Sequence, residues 1–315
     1  KLMGTLGLDI GGTKILGILY DEKGLEIARQ KRKTKAAEGL DVVMTQVYKV
    51  IDAMIESSVD RLDGIGVGVP GLVNAEGTVL FSPNIPFKDF ELSKMLKKRY
   101  NVPVYVGNDV NVAMYGEWKH IGNNATHDVL GMFIGTGVGG AIIINGELYL
   151  GQGSAGEFGH MVVSADGAYC GCGAQGCLEA YASKTAIQKY IEKQIGKGRT
   201  SLLTELLKED GPVLKSSSLI KAYDKNDPLA IEVIDRTARY LGIAVGSLVN
   251  LFHPDQFILG GGVMEALGEI LLEKTLNEAQ QHAMPGLLKS VEFSLSVMGD
   301  EAGVYGAYQL IKSKL

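Results

Sequence analysis

Short apolar runs alternate with turns over the first thirty residues: Thr5 to Ile10, Ile15 to Tyr20 and Leu25 to Gln30 are separated by Gly11-Gly12 and by Asp21-Glu22-Lys23-Gly24. Strand-length runs joined by such turns predict a three-stranded antiparallel meander. From Leu40 the period changes, because Val43, Val47, Val50 and Met54 recur at three- and four-residue steps. That spacing puts them on one face of a crossover helix. Strands and helices then alternate: strand Gly64 to Val69, a hairpin around Asn74-Ala75-Glu76-Gly77, helix Glu91 to Tyr100, strand Pro103 to Val106 and helix Val110 to Trp118. This order predicts α/β organisation with a largely parallel sheet.

The second half opens in the same way. Leu130-Gly131-Met132-Phe133-Ile134-Gly135 echoes Leu6-Gly7-Leu8-Asp9-Ile10-Gly11, and Ala141 to Ile144 echoes the strand at Ile15. Both copies open a strand–turn–strand unit, which predicts an internally duplicated chain. Helices follow at Leu178 to Glu192, Leu202 to Lys208 and Pro228 to Phe252, then strand Gln256 to Leu259, helix Val263 to His282 and strand Val291 to Val297. The last helix, Ala302 to Lys312, is expected to return to the first domain. The expected division is a smaller α/β domain over residues 1–118, joined by the C-terminal helix within 302–315, and a larger one over 119–301.

A chain of 315 residues exceeds what one core usually supports, which favours two domains. Hydrophobic residues at 46% and charged residues at 21% are the mixture of a globular protein and exclude a disordered or fibrous class. The net charge of -5 offers nucleic acid no general attraction, and the basic run Arg29 to Lys35 reads as a solvated strand end. The longest nearly apolar stretch, Phe133 to Ile144, is about half the roughly 20 residues a bilayer requires and is broken by four glycines. No basic region followed by an apolar signal core opens the sequence, so export is not expected. All three cysteines fall between Cys170 and Cys177, which points to metal chemistry in a reducing, cytoplasmic compartment and away from a disulfide framework.

Two segments match G-x-G-x-x-G: Gly66, Gly68 and Gly71, and Gly135, Gly137 and Gly140. The dinucleotide motif works only where its glycines join a strand to a helix that faces pyrophosphate, and here a hairpin and a strand follow instead. The Walker pattern is absent. What remains are tight β-turns carrying hydroxyls, Asp9-Ile10-Gly11-Gly12-Thr13-Lys14 and Gly135-Thr136-Gly137. Successive N–H groups in such turns cradle phosphate oxygens, while Thr13, Thr136 and Lys14 add donors. Asp9, at a strand end, is placed to hold Mg²⁺ directly or through water. Ligand-free hairpin turns are the alternative for either segment alone, and the pairing at matching points of a duplicated fold favours phosphate. A third cluster, Gly260-Gly261-Gly262, lies between a strand and a long helix, where it either seats adenosine or merely punctuates the chain.

Asp109 follows the strand Val104-Tyr105-Val106 and precedes an apolar helix. It reads as a helix N-cap, as the carboxylate that accepts a proton from a substrate hydroxyl, or as both, and Asn108 is the other candidate for the cap. The string Cys170-Gly171-Cys172-Gly173-Ala174-Gln175-Gly176-Cys177 brings three thiols together, and His160 is the nearest upstream histidine. A closed Cys₃His structural zinc site is the best reading, against buried free thiols or a redox pair. Glu157 and Glu179 flank it, so zinc would rigidify a loop that carries two carboxylates able to bind a ligand.

These residues resemble the ROK family of sugar kinases and regulators (repressor, open reading frame, kinase), and within it the bacterial glucokinases. The likeness covers essentially the whole chain. Asp9 to Lys14 is similar to the family's first phosphate motif, Gly107-Asn108-Asp109 to its catalytic turn, and Gly135 to Gly140 to its second phosphate motif. Glu157-Phe158-Gly159-His160 resembles its E-x-G-H sugar motif, and Cys170 to Glu179 matches C-G-C-G-x-x-G-C-x-E without departure. The resemblance implies a two-domain actin-like ATPase (ribonuclease H-like) fold with duplicated βββαβα units, forming homodimers or larger assemblies, with ATP and sugar meeting in the interdomain cleft. It implies Asp109 as general base, and Asn84, Asn108, Glu157, His160 and Glu179 as hydrogen-bond partners of the sugar. The activity it implies is transfer of the γ-phosphoryl group of ATP to the 6-hydroxyl of glucose, with Mg²⁺ and a structural Zn²⁺. Fructose, mannose, N-acetylmannosamine and allose are alternative acceptors. Related fructokinases tend to carry His-Pro before the Glu of E-x-G-H, whereas this chain has Ala155-Gly156, as glucokinases often do. Family repressors add an amino-terminal helix-turn-helix, for which the early phosphate strand is expected to leave no room, so a sugar-responsive regulator is the alternative of a different class.

Overall fold

The computed structural model describes residues 3–58, 61–122, 126–211 and 213–315. Described residues within 1–125, 141–155 and 298–315 form one compact unit, and those within 126–140 and 156–297 form a second.

In the first unit the meander is β1 (Met3–Ile10), β2 (Lys14–Tyr20) and β3 (Glu26–Lys33), followed by α1 (Leu40–Ser58) and β4 (Arg61–Val69). Next come the short strands β5 (Leu72–Val73), β6 (Val79–Phe81) and β7 (Lys88–Phe90), then α2 (Leu92–Tyr100), β8 (Val104–Asn108) and α3 (Asp109–Ile121). The main sheet has the order β3-β2-β1-β4-β8, with β1 antiparallel to β2 and parallel to β4. Alternation along β1 sorts its two faces. Leu6, Leu8 and Ile10 enter a core with Val43, Val47, Val50 and Met54, the helical stripe read from the sequence.

The opposite face carries Gly7 on β1 and Gly64 and Gly66 on β4, and the C-terminal helix lies directly on it. A β-carbon on Gly66 would come within 1.8 Å of the Ala307 carbonyl oxygen, and one on Gly7 within 2.2 Å of that of Val304. The same helix meets α3 through glycine, since a β-carbon on Gly306 would lie 1.8 Å from the Val112 carbonyl oxygen. At these positions the absence of a side chain is the packing requirement.

The remaining elements, in chain order, are β9 (Val129–Ile134), β10 (Val138–Ile144), β11 (Glu147–Leu148), α4 (Glu179–Ala182), α5 (Lys184–Gly196), α6 (Leu203–Asp210), α7 (Ser216–Asp224), α8 (Pro228–Phe252), β12 (Gln256–Gly260), α9 (Gly262–Ala279), β13 (Glu292–Leu295) and α10 (Ala302–Lys312). The second sheet runs β11-β10-β9-β12-β13. With only the five strands of each main sheet counted, in chain order, both sheets read 3-2-1-4-5, and the duplication read from two apolar strands extends to whole-sheet topology. All five residues of β12 are buried between its parallel neighbours β9 and β13.

Three expectations need correction. The helix expected over Leu178 to Glu192 is broken: Ser183 is extended (φ -66°, ψ 153°) and its hydroxyl accepts the Ala186 N–H, so it caps α5 and α4 ends before it. The helix expected to reach His282 ends at Ala279 and is interrupted by Gly268 (φ 48°, ψ -131°). β7 and α7 were not expected, because α7 begins in the run Ser216-Ser217-Ser218, which reads as loop, and its buried apolar positions are only Leu219 and Ala222. No helix among the described residues is long and apolar enough to cross a membrane.

Candidate active site and metal cluster

In the first unit, β1, β4 and β8 run parallel and in register, with Asp9 opposite Gly68 and Gly68 opposite Gly107. Their carboxyl ends therefore lie at one level, the edge where open α/β sheets take ligands. Asp9, the next-to-last residue of β1, lies on this edge, and Asp109 begins α3 two residues beyond Gly107. The alternatives for the cap resolve in favour of Asn108. Its Oδ1 accepts the Val110 and Asn111 N–H groups at 3.0 and 3.1 Å, and its Nδ2 donates to the Gly71 carbonyl at 3.0 Å. Asp109 is the first residue of the helix and its Oδ1 accepts the neighbouring Val110 N–H at 2.9 Å. The N-cap position is thus filled without Asp109.

The two carboxylates feel each other. Burial, and then the Asp109 charge, push the pKa of Asp9 up to about 7, and Lys14 pulls in the opposite direction. The turn after β1 closes by the Gly11 N–H to the Lys14 carbonyl at 2.8 Å, and the Thr34 hydroxyl donates to the Gly11 carbonyl at 2.5 Å. A β-carbon on Gly12 would stand 2.9 Å from the Asn84 β-carbon, so Asn84 lies directly against the turn. Asp9, Gly11, Gly12, Asn84 and Asp109 are therefore brought to one sheet edge. Lys14 ion-pairs with Asp300, a residue that sequence reasoning missed. Asp300 lies two residues before the last helix, where an acidic residue reads as helix punctuation. That helix also points at Asp9: a β-carbon on Gly303 would be 3.2 Å from the Asp9 carboxyl carbon.

In the second unit the β9–β10 turn closes by the Gly135 N–H to the Gly137 carbonyl at 2.9 Å. The start of α5 is tied to it, because the Lys184 N–H donates to the Gly135 carbonyl at 2.8 Å and the Thr185 hydroxyl to the Thr136 carbonyl at 2.9 Å. Glu179, first residue of α4, accepts the Val138 N–H through Oε2 at 2.9 Å, and a β-carbon on Gly137 would sit 2.5 Å from that oxygen. Gly261 (φ 85°) begins the turn into α9, and a β-carbon there would be 2.6 Å from the Ile134 carbonyl oxygen. The Gly260–Gly262 cluster thus abuts the strand end that leads into Gly135. Glu157 precedes a single 3₁₀ turn, Phe158–His160, and a β-carbon on Gly159 would be 2.1 Å from the Val138 carbonyl oxygen, which fixes this turn against β10.

His160, Cys170, Cys172 and Cys177 present donor atoms that all lie within 4.8 Å of one another. Cys170 Sγ is 3.7 Å from His160 Nδ1, and Cys172 Sγ is 3.8 Å from Cys177 Sγ. Zinc–sulfur bonds of about 2.3 Å in a tetrahedron put two sulfurs roughly 3.8 Å apart, so donor type and spacing both suit Zn²⁺. The loop reaches this shape through glycine: Gly176 has φ 82°, and a β-carbon there would meet the Ser164 carbonyl oxygen at 1.8 Å. Cys170 Sγ also lies 3.8 Å from Glu179 Oε1, so Glu179 touches both the cysteine cluster and the glycine turn.

Comparison with known proteins gives a consistent result. A model of the ROK family matches residues 5–314. The glucokinase of Halalkalibacterium halodurans is 34% identical over 98% of this chain and 95% of its own length. The xylose repressor of Bacillus subtilis is 30% identical, and the match covers 98% of this chain and 76% of the repressor. Among solved structures, a ROK family glucokinase from Streptomyces griseus in complex with glucose and AMPPNP superposes with a TM-score of 0.77 at 32% identity, covering 98% of each chain. The two-sheet α/β architecture is accordingly the actin-like ATPase fold expected from the sequence.

Proposed function

The chain belongs to the ROK family, and from that premise we propose that it transfers the γ-phosphoryl group of ATP to the 6-hydroxyl of glucose, giving glucose 6-phosphate and ADP. The observation that carries the reading is the placement of Asp109: Asn108 does the capping, and Asp109 stands near Asp9 at the carboxyl edge of a parallel sheet. Phosphoryl transfer passes through a loose transition state, so positioning and charge stabilisation do most of the work. Asp109 accepts the proton of the attacking hydroxyl as the new O–P bond forms. The N–H groups of the turns at Gly11–Gly12 and Gly135–Gly137, with Thr13, Thr136 and Lys14, hold phosphate oxygens, and Gly260–Gly262 takes the adenosine. Asp9 would hold Mg²⁺, which when bound offsets charge between the phosphates. Asn84, Glu157, His160 and Glu179 hydrogen-bond the sugar, and Asn108 contributes the amide hydrogen that its bond to Gly71 leaves over. A site that pairs each hydroxyl rejects sugars in which one is missing or inverted.

His160, Cys170, Cys172 and Cys177 would hold a structural Zn²⁺, whose contribution is to stiffen the loop preceding Glu179. The protein acts in the cytoplasm as a homodimer or larger homo-oligomer in this reading. The test is an ADP-release assay over glucose, mannose, fructose, N-acetylmannosamine and allose, run on wild type and Asp109→Asn. Glucose should give the highest kcat/KM, and the variant should lose at least about 100-fold in kcat while calorimetry still registers glucose binding. Turnover of another sugar with none of glucose refutes the substrate, and full activity of the variant refutes the base. Similarity to the xylose repressor supports a second reading, a sugar-responsive regulator. A sequence-specific gel shift from a chain without kinase activity would select it.

A further inference from the structure

Beside the cysteine cluster, α5 and α8 border a cavity of about 330 Å³ whose walls include Tyr169, Gly171, Lys189, Tyr190, Lys193 and Arg236. Three cations face a single acid in this lining, Glu179, and that acid already accepts the Val138 N–H. Of the acids nearby on the same helices, Asp235 pairs with Lys274 at 2.7 Å, Glu192 accepts from Gln188 at 2.8 Å, and Glu232 pairs with Arg199 at 2.6 Å while its charge also reaches Arg236 without a direct ion pair. Among the described residues, neither lysine nor Arg236 makes an ion pair.

Arg236 is nevertheless held in place. Its guanidinium carbon lies 4.4, 4.9 and 5.1 Å from the ring centroids of Tyr190, Tyr181 and Tyr240, and the last two rings stack at 3.9 Å. The Tyr190 hydroxyl donates to Glu232 at 2.6 Å, which fixes the ring nearest the guanidinium. Aromatic faces orient an arginine without neutralising it, and a guanidinium is weakly hydrated, so its planar donors stay ready for an oxyanion. Lys189 and Lys193 are one turn apart on α5, a spacing at which like charges repel. Their repulsion is relieved when an anion enters.

We propose that this cavity is a binding site for a small phosphate-bearing molecule, seated by Lys189, Lys193 and Arg236, with Tyr169 offering an aromatic face to any sugar ring attached to the phosphate. Tyr169 is 79% exposed at the rim, as such a contact requires. The cavity wall includes Glu179 and Thr136, which the proposed function places on sugar and phosphate, and Cys170, which it places in the metal cluster. Occupancy therefore alters turnover, and this part of the proposal rests on the kinase reading.

The test is calorimetry on the full chain with glucose and a non-hydrolysable ATP analogue at saturation, titrating glucose 6-phosphate in one arm and inorganic phosphate in the other. One site per chain is expected, weakened at least tenfold in Lys189→Ala and in Arg236→Gln and again by raising the salt. Lys189→Ala keeps wild-type melting and anion-free kcat, which separates lost binding from lost structure. Tighter binding of the sugar phosphate, lost in Tyr169→Ala, identifies a phosphosugar, whereas equal binding of both identifies free phosphate. Binding that survives both charge removals, that the nucleotide analogue abolishes, or that neither anion shows overturns the proposal. If glucose and the nucleotide analogue themselves fail to bind, the kinase reading falls instead, and the same anion titrations without them still decide the cavity.

Discussion

Asp9 is held in the folded protein with its pKa near 7, by burial first and Asp109 second, whereas an unfolded aspartate titrates near its ordinary value of about 3.9. Between those values the folded state binds more protons than the unfolded one. Stability contributed by the protonated carboxyl is complete below about pH 4 and is lost as pH rises through about 7. In Mg²⁺-free buffer the melting temperature should therefore fall from pH 5 to pH 8, and Asp9→Asn should flatten that slope and melt higher than wild type at pH 8. Scanning calorimetry at both pH values decides it, and an unchanged slope in the variant discards the assignment. Most of this edge was legible residue by residue, since a glycine turn after an apolar strand stands out in the sequence as a candidate phosphate turn. The division of labour between Asn108 and Asp109 was not, because either side chain caps a helix and only the backbone trace distinguishes N-cap from first turn. Asp300 was hidden for a different reason: its partner Lys14 is 286 residues away in sequence.

Among the elements, α8 and α10 match their expected bounds, Pro228 to Phe252 and Ala302 to Lys312, since Asp227 caps α8 and apolar periodicity carries both. The glycine seat beneath α10 was not legible. Glycine in a strand reads as a weak point, and its purpose here lies in a helix some 240 residues later. Gly66→Ala should cost about 3 kcal/mol by urea denaturation, because the obstructing atom is a backbone oxygen that a rotamer change cannot move. Gly196→Ala, at the end of α5 with nothing within 4 Å of a new β-carbon, should instead stabilise by up to about 1 kcal/mol. Equal effects at the two sites would show that α10 is not seated on glycine. In the proposed reading, the loop between His160 and Cys177 depends on its four donors in a comparable way. Elemental analysis of fresh protein should find one zinc per chain, and Cys177→Ser should lower both the zinc content and the melting temperature. Protein that melts identically with and without metal would make the cluster incidental.

Across the whole molecule, the repeated 3-2-1-4-5 sheet order confirms the duplication that two short apolar echoes suggested. Sequence could reach that far because each half opens with the same meander. Between β11 and β12 the second half carries the cysteine loop and five helices, α4 to α8, where the first half has α1 alone between β3 and β4, and this extra length dilutes the echo. One further consequence follows from α10 packing against β1, β4 and α3. A ribosome must add about 180 residues after α3 before α10 exists, roughly 10 to 40 s of synthesis. For that interval the sheet already made shows a bare, side-chain-poor groove, and its maturation is timed by a helix synthesised well after it.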